Sequence, residues 1–374
     1  MSTQLRLPFR VEHVGSFLRP QRLMEGARRR RAGTISQDEF HQLQDEAVRE
    51  VVRFQEDLGL QSITDGEYRR RAWSTGFIDA VPGFGYREGT LGSFKTAAGS
   101  VVTVAPSPYA KERLERRKGV ATDEFAFLKS AVRNGVPKIT MPSPAVMHFF
   151  LGPRSVDETV YPDVDVYFDD LVRIYQEEIT DLVKLGCRYL QLDDTALPCL
   201  CDPSVQDEVK HRGENPRSLL ETYARLINGA IANRPADVTV GIHLCRGNLK
   251  GAWMAEGGYG FIADQLFNLI DVDAYFLEYD TPRAGDFGPL GAVPKHKVVV
   301  LGLISTKTPK LESKDEIERR IDEAAKHVDL GQLCLSPQCG FSSVAGSGQM
   351  LTAEDTANKV KLMQSVAADV WGHS

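Results

Sequence analysis

Short apolar runs alternate with longer amphipathic segments along most of this chain. Eight of the runs have the length and the Val, Ile and Leu content that are typical of buried parallel strands. They are Phe9–Val14, Ser62–Asp65, Lys138–Met141, Tyr189–Asp193, Val238–Ile242, Ala274–Leu277, Lys297–Leu303 and Gln332–Leu335.

Between these runs the apolar positions recur with the period of an amphipathic helix. The predicted helices are Gln37–Leu58, Val166–Leu185, Arg217–Ala232, Ile262–Ile270, Lys314–Val328 and Ala353–Trp371. Strand followed by helix, repeated in this way, is typical of a (β/α)8 TIM barrel, so we predict an α/β fold of that class. A doubly wound open sheet is the alternative, but the segment after the first strand, Val14-Gly15-Ser16-Phe17, is not a glycine-rich phosphate loop.

Two insertions interrupt the predicted repeat. Residues 81–105 alternate apolar and polar positions, which predicts a β-hairpin insertion after the second strand. Residues 198–216 are predicted to form a polar loop after the fourth strand. Because no linker, low-complexity tract or internal repeat is visible, we expect one domain over residues 1–374.

The composition is that of an ordinary globular protein, with 42% hydrophobic and 26% charged residues among 374 and a net charge of −6. The basic run Arg28–Arg31 is interpreted as a solvated helix face, so no nucleic-acid partner is expected. No stretch approaches the ~20 apolar residues of a membrane span, and the first residues lack the apolar part of a signal peptide. Six cysteines without regular spacing favour a reducing cytoplasm.

Reactive or polar side chains follow the predicted strands, where barrels of this class carry their chemistry. Asp193 and Asp194 follow the fourth strand, and paired carboxylates there are more typical of cation or ammonium binding than of helix capping. Cys199 and Cys201 lie just beyond them, and we interpret them as spare thiols rather than as a second pair of metal ligands.

The most informative group is His243, Cys245, Glu278 and Cys339, each of which directly follows one of the later strands. A His-x-Cys pair alone is weak support, because buried cysteines mostly behave as small hydrophobes. Cys339 after the eighth strand and Glu278 after the sixth add a second thiol and a carboxylate, which favours a metal site over a core cysteine. One imidazole, two thiols and a carboxylate suit tetrahedral Zn²⁺, so the sequence predicts a zinc site that activates a substrate.

These strand-end motifs resemble the catalytic C-terminal barrel of cobalamin-independent methionine synthase, and more closely its short single-barrel relatives without the N-terminal half. The resemblance runs nearly end to end. It rests on the order and placement of Val14-Gly15-Ser16-Phe17, Asp65-Gly66-Glu67, Leu192-Asp193-Asp194, His243-x-Cys245, Leu277-Glu278 and Pro337-Gln338-Cys339-Gly340.

The resemblance implies that His243, Cys245, Glu278 and Cys339 are the zinc ligands. It also implies that Glu67 and Asp193 bind the ammonium group of an amino-acid substrate and that the backbone of Gly15 and Ser16 lies at its carboxylate. The implied reaction moves a methyl group from 5-methyltetrahydrofolate to homocysteine, giving methionine.

Zinc coordination deprotonates a thiol, whereas the folate nitrogen that leaves must gain a proton from a general acid. Asp194 is the candidate for that acid. Two departures from the family weaken the folate half of the reaction: Leu303–Lys307 contains no histidine after the seventh strand, and Phe150 stands where a tryptophan stacks on the pterin. The missing N-terminal half is a third, so the thiol acceptor is better supported than the methyl donor.

Three other functions remain open on the sequence. An epoxyalkane:coenzyme M transferase would hold a sulfonate thiol with Arg246, Arg283 or Lys307, although Glu67 and Asp193 favour an amino-thiol. A methylcobamide is an alternative donor to methylfolate. A non-catalytic barrel with a closed structural zinc site is the third. The sequence leaves the oligomeric state open, and a homo-oligomer is compatible with it.

Overall fold

The computed structural model describes residues 7–88, 93–96, 99–102, 106–343 and 349–372. The strands in this part of the chain are β1 (Ser62–Ile63), β2 (Phe84–Glu88), β3 (Ser93–Thr96), β4 (Gly99–Val102), β5 (Pro106–Ala110), β6 (Val136–Pro137), β7 (Ile139–Pro142), β8 (Tyr189–Asp194), β9 (Thr239–Leu244), β10 (Ala274–Glu278), β11 (Val298–Ile304) and β12 (Leu333–Pro337). The helices are α1 (Gln21–Arg31), α2 (Gln37–Asp57), α3 (Thr75–Ala80), α4 (Thr122–Ala131), α5 (Val146–Phe149), α6 (Val164–Lys184), α7 (Ala196–Cys199), α8 (Pro203–His211), α9 (Pro216–Ile231), α10 (Ala263–Leu269), α11 (Lys314–Ala324) and α12 (Ala353–Trp371).

The fold is α/β and is built on a parallel sheet of six strands in the order β12-β11-β10-β9-β8-β7. A second parallel pair, β1 with β6, adjoins this sheet, because Lys138 alone separates β6 from β7. Along the chain an α-helix follows each strand of the six-stranded sheet except β10. Two short 3-10 helices, Pro282–Ala284 and Gly288–Ala292, connect β10 to β11 instead.

The predicted first strand, Phe9–Val14, makes a single parallel bridge instead of a regular ladder. Val11 pairs with Leu335 of β12, and the Glu12 N–H donates to the Leu335 carbonyl at 2.9 Å. Farther along, Ser16 bridges to Gly66, just after β1. The segment therefore lies between β12 and β1, although too few residues pair to form a strand.

The other predicted strands coincide with β1 and β7 to β12, and the predicted long helices coincide with α2, α6, α9, α10, α11 and α12. Helix α11 is shorter than expected and ends at Ala324. The predicted loop at 198–216 is wrong, because α8 lies within it. Asp202 caps that helix by accepting from the Ser204 N–H, and Pro203 occupies its first turn.

The segment predicted as a hairpin contains antiparallel pairs. Strand β2 pairs with β5, with Phe84 opposite Ala110, and β3 pairs with β4. Residues 89–92, 97–98 and 103–105 of the predicted insertion lie outside the described residues. Strand β3 also meets the loop after β9, where the backbone groups of Lys95 and Trp253 exchange hydrogen bonds of 2.6 and 3.0 Å.

Alternate residues of the central strands pack into two separate hydrophobic clusters. In β10, Tyr275 and Leu277 belong to the large cluster that includes the helices. Ala274 and Phe276 belong to a small cluster with Val300 of β11. Because successive side chains of a strand point to opposite faces, the sheet is buried on both sides, as all-parallel sheets usually are. None of the described helices is both long and apolar enough to cross a membrane.

A fully buried ion pair lies beside the small cluster. Lys138 Nζ lies 3.3 Å from Glu12 Oε2 and donates to the His13 carbonyl at 2.6 Å, and neither charged side chain is exposed. The ammonium group also lies 4.4 Å from the centre of the Phe276 ring. Glu12 accepts two further hydrogen bonds from side chains, the hydroxyls of Ser62 and Tyr189. The pair is therefore satisfied on both sides, as a buried pair must be to persist.

We expect the Lys138→Met variant to lose about 3–5 kcal/mol of unfolding free energy, because it leaves the Glu12 carboxylate buried without its cation. Urea unfolding followed by circular dichroism measures this loss. Lys326→Met, at an exposed lysine, is the control and should change the free energy by less than about 0.5 kcal/mol. A Glu12→Gln/Lys138→Met double variant should recover part of the loss. Equal stability of the two lysine variants would contradict this account.

Candidate metal centre and adjacent acidic pocket

Three potential metal ligands converge at the carboxyl ends of β9 and β12. The ligand atoms of His243, Cys245 and Cys339 all lie within 4.8 Å of one another. Strands β10 and β11 separate β9 from β12 in the sheet. Three strand spacings in a flat sheet would amount to about 14 Å, so the sheet must curve to bring these side chains together.

The chemistry of this cluster fits zinc. Bonds of about 2.3 Å to sulfur and 2.0 Å to nitrogen put the ligands of one tetrahedral ion about 3–4 Å apart, compatible with the observed spacing. Both ring nitrogens of His243 are buried and lack a hydrogen-bond partner. A buried polar group in that state indicates a missing partner such as an ion. Burial by itself would lower the pKa of His243, but Cys245, Asp193 and Glu278 raise it overall.

Glu278, the fourth predicted ligand, is not a member of this cluster among the described residues. Its Oε1 accepts a hydrogen bond from Lys307 Nζ at 2.9 Å, and its Oε2 accepts one from the Arg246 N–H at 2.7 Å. Burial acts to raise the pKa of Glu278, but Lys307 and Arg246 outweigh it and lower the pKa. The carboxylate is therefore ionised and bound to cationic or N–H groups.

The two predicted ammonium-binding residues, Glu67 and Asp193, are both buried carboxylates, and together they are called the acidic pocket. Burial raises the pKa of Asp193 to about 7, with Glu67 acting in the same direction and His243 against it. The pKa of Glu67 is also raised, chiefly by burial, although Arg70 and Arg19 oppose this. Both carboxylates are therefore difficult to ionise at the same time, and a bound cation would stabilise their ionised forms.

The acidic pocket lies next to the metal cluster. Asp193 of β8 is the register partner of His243 in β9. Gln191 Nε2 donates to Asp193 Oδ1 at 2.6 Å, which fixes the carboxylate. Glu67 is reached through a tight turn after β1, where its own φ is +61°.

Gly15 and Ser16 lie between this pocket and the loop that carries Cys339. A Cβ atom on Gly15 would lie 3.3 Å from Glu67 Oε1 and 2.8 Å from a Thr140 methyl carbon, so only glycine allows this approach. On the other side, the Phe341 N–H donates to the Ser16 carbonyl at 3.0 Å. The backbone at 15–16 therefore connects the two halves of the site.

Asp194 projects differently from Asp193, as successive residues of a strand do. Its Oδ1 accepts from the Leu197 N–H at 2.7 Å, at the start of α7. Burial raises its pKa to about 6, while Ser143 and the backbone N–H groups of α7 act against the rise. Asp194 thus caps α7.

Phe150, the predicted pterin contact, follows α5 and is partly buried, with its ring 5.4 Å from that of Phe149.

Cys199 and Cys201 are buried in the large hydrophobic cluster. Burial raises the pKa of both thiols, and Cys245 adds to the effect at Cys199. Among the described residues, the possible metal cluster contains His243, Cys245 and Cys339 but neither of these two cysteines. Their placement fits core thiols.

The charged residues around Glu278 form contacts that sequence reasoning missed. Arg246 is fully buried and donates to the Gly257 carbonyl at 2.6 Å, so it is used within the fold. Lys307 lies between Glu278 and Asp280, at 2.9 and 3.2 Å. Arg283 stacks on the Trp253 ring at 4.0 Å, and its Nε and Nη2 atoms are buried without a hydrogen-bond partner. Their positions directly after predicted strands marked these residues as candidates. The neighbouring sequence did not indicate which of them pair with each other.

Comparisons with known proteins show which family the chain resembles over its length. The sequence model of the family described as "Cobalamin-independent synthase, Catalytic domain" matches residues 9–369. A Bacillus subtilis (strain 168) protein, described as "Uncharacterized protein YxjH", is 36% identical over 98% of this chain and 96% of its own length. A methionine synthase of Pyrococcus abyssi is 24% identical over 96% of this chain and 92% of its own. The crystal structure of a putative vitamin-B12-independent methionine synthase from Listeria monocytogenes is 32% identical with a TM-score of 0.76, covering 98% of this chain and 99% of its own.

The contact between Gly340 and Ser16 gives a test of this arrangement. A Cβ on Gly340 would lie 1.8 Å from Ser16 Oγ, which donates to the Ser342 carbonyl at 3.0 Å. We expect Gly340→Ala to displace Ser16 and to lower the unfolding free energy by about 1–3 kcal/mol, measured by urea unfolding. Gly291→Ala is the matched control, because nothing lies within 4 Å of its added carbon. If both variants are equally stable, the two loops do not meet as described.

Proposed function

The chain belongs to the family of cobalamin-independent synthase catalytic domains, and we propose that it is a zinc-dependent methyltransferase that converts homocysteine to methionine. The observation that carries the proposal is the cluster of His243, Cys245 and Cys339 beside the buried pair Glu67 and Asp193. The methyl donor in this proposal is 5-methyltetrahydrofolate or a related compound. Homologues named methionine synthase support the methyl transfer.

We propose that residues 1–374 form a single (β/α)8 TIM barrel with a β-hairpin insertion at 81–105, located in the cytoplasm. The bridge from Val11 to β12, together with the one from Ser16 to Gly66, supports closure of the sheet through the first segment. The antiparallel pairing of β2 with β5 and of β3 with β4 supports the insertion. The contact between Lys95 and Trp253 would place that insertion over the loop after Cys245.

In this proposal His243, Cys245 and Cys339 hold the metal. Glu278, at the carboxyl end of β10, is the candidate for the fourth position until the substrate thiol takes it. Zinc bound there would lower the pKa of the substrate thiol, so that the thiolate is present at neutral pH. The thiols of Cys245 and Cys339 would bind as thiolates.

The amino-acid end of homocysteine would occupy the adjacent acidic pocket. The carboxylates of Glu67 and Asp193 would accept hydrogen bonds from its ammonium group, and the ammonium would in turn favour their ionised forms. The backbone at Gly15 and Ser16 would lie at its carboxylate. Holding both ends in this way would orient the sulfur toward the metal cluster and lower the entropic part of the barrier.

The remaining residues would act on the methyl donor. Asp194 is the candidate general acid, since a pKa of about 6 leaves part of the carboxyl protonated near neutrality. Its bond to the Leu197 N–H would hold it in place. Phe150 is the candidate stacking partner for a pterin ring.

A second candidate function is alkylation of an anionic thiol, as in the epoxyalkane:coenzyme M transferases. Arg283 favours it, because its Nε and Nη2 atoms have no hydrogen-bond partner and a sulfonate would provide one. Arg246 and Lys307 are already bound within the fold, so they support it less.

An activity panel on the zinc-loaded protein separates the two candidate functions. Homocysteine and coenzyme M are each offered methylfolate, methylcobalamin and an epoxide.

We expect Cys339→Ser to lower zinc affinity by more than about 100-fold, since structural and catalytic zinc sites depend on each thiolate. Thiol alkylation should fall below detection while the circular dichroism spectrum stays unchanged. Chelator competition measures the affinity. Cys187→Ser, at a buried thiol outside the cluster, should bind zinc like the unmodified protein. A Cys339→Ser protein with full activity after metal removal would refute the assignment.

We expect Asp193→Asn to reduce kcat/KM for homocysteine by about 10-fold or more, because a hydrogen bond to a charged group contributes about 1.5–3 kcal/mol. For a thiol of the same length without an amine, the loss should be less than about threefold. Asp322→Asn, at an exposed position of α11, is the control for the substitution itself. Equal losses with both thiols would count against an ammonium site.

A further inference from the structure

The backbone of Glu67 is held in a conformation that is uncommon for a residue with a side chain. Its φ is +61°, in the left-handed region that glycine adopts most readily. The Glu67 N–H donates to Asp65 Oδ1 at 2.9 Å, and the Glu67 carbonyl accepts from Arg19 Nη2 at 2.6 Å. Backbone strain of this kind persists only where neighbouring groups enforce it, and it is typical of functional sites.

The side chain of Glu67 is approached by the hydroxyl of Thr140, a buried residue of β7. Thr140 Oγ1 lies 3.4 Å from Glu67 Oε1 and 2.9 Å from Arg70 Nη1. A guanidinium group can only donate hydrogen bonds, whereas a hydroxyl has one hydrogen and two lone pairs. Arg70 therefore occupies a lone pair of Thr140, and the hydroxyl hydrogen is left to point at Glu67.

The guanidinium group of Arg70 is itself fixed in direction. Its Nε and Nη2 atoms both donate to Glu124 Oε2, at 2.9 and 2.7 Å, and its side chain is 4% exposed. Because the guanidinium group is planar and rigid, two fixed nitrogens determine where the third one points. Nη1 is thus directed at Thr140.

The side chain of Thr140 has little freedom to turn away from Glu67. A Cβ atom at Gly15 would lie 2.8 Å from the Thr140 methyl carbon and 3.7 Å from its hydroxyl oxygen, so the methyl group is the part that faces Gly15. A β-branched side chain has few χ1 rotamers. Exchanging the two groups would break the bond from Arg70 and leave that donor buried without its acceptor, which is costly.

We propose that Arg70 is a positioning residue for the ammonium site. Acting through Thr140, it supplies a hydrogen-bond donor to Oε1 of Glu67 and leaves Oε2 for the ammonium group of the substrate. The inference rests on the ammonium site of the proposed function, to which it adds the residues that hold Glu67 in place.

The contacts of Arg70 fit this role better than direct binding of the substrate. Three of its nitrogens already donate to Glu124 or Thr140, and almost none of its side chain is exposed. Burial raises the pKa of Glu67, and the charge of Arg70 acts against that rise. Arg70 therefore favours the ionised form of Glu67, which is the form that binds an ammonium group.

The first part of the test removes the Thr140 hydroxyl. Thr140→Val keeps the methyl group and the branched shape. The zinc-loaded full chain is titrated in a calorimeter with homocysteine and with 4-mercaptobutanoate, which is homocysteine without its amine. We expect the dissociation constant to rise about fivefold for homocysteine and to change less than about twofold for the amine-free thiol, since one hydrogen bond to the carboxylate is lost. Equal weakening for both thiols, or none for homocysteine, would overturn the proposal.

The second part tests whether Arg70 acts through Thr140. Thr140→Ser keeps the hydroxyl and should retain most of the homocysteine affinity. Arg70→Lys keeps a positive charge beside Glu124 but lacks the fixed fork of N–H groups, so we expect about the same fivefold loss as in Thr140→Val. The double variant Arg70→Lys/Thr140→Val should lose no more than either single variant, because both changes break one chain of hydrogen bonds. Losses that multiply in the double variant would show that the two residues act separately, against the proposal.

Two further variants separate failure of this inference from failure of the ammonium site. Arg71→Met, at an exposed arginine that pairs with Asp79, is the control and should bind both thiols like the unmodified protein. Glu67→Gln should weaken the binding of homocysteine by more than about fivefold and leave the amine-free thiol nearly unaffected.

The outcomes for Glu67 and Thr140 are then compared. If Glu67→Gln weakens homocysteine selectively and Thr140→Val does not, the ammonium site stands and the role given to Arg70 is wrong. If Glu67→Gln affects both thiols equally, the ammonium site is wrong and the inference falls with it. Should Arg70→Lys fail to fold, the comparison of Thr140→Val with Thr140→Ser decides the proposal by itself.

Discussion

The register between β8 and β9 is the constraint on which the site depends. It places Asp193 opposite His243, so that the acidic pocket and the metal cluster share one edge of the sheet. A slip of one residue would turn either side chain to the opposite face. Curvature of the sheet adds the second requirement, because Cys339 reaches Cys245 across two intervening strands.

The buried charged and polar groups of this protein differ in how fully the fold satisfies them. Lys138 and Glu12 satisfy each other and neighbouring polar groups, which is the pattern of a structural pair. Around the site, by contrast, the nitrogens of His243 and two nitrogens of Arg283 lack a hydrogen-bond partner. Buried polar atoms that the fold leaves unsatisfied are expected where a ligand completes the set.

Much of the fold could be predicted because its strands are apolar and its helices amphipathic over long stretches. The predictions failed where the local sequence pattern and the pairing with distant residues favour different structures. Phe9–Val14 has the composition of a strand but finds only one bridging partner, Leu335. Helix α8 was missed although Asp202 and Pro203 form an ordinary helix start, because the segment is polar and short.

Local patterns in the chain were enough to predict the α/β fold with a parallel sheet, the family and the set of candidate side chains, since each depends on short apolar runs and on the residues directly after them. It could not determine which of those side chains meet. Cys339 joins His243 and Cys245, whereas Glu278 is bound by Lys307 and Arg246. These contacts follow from the three-dimensional arrangement, because the partners lie on different strands and their distances depend on sheet curvature and on competition among buried charges.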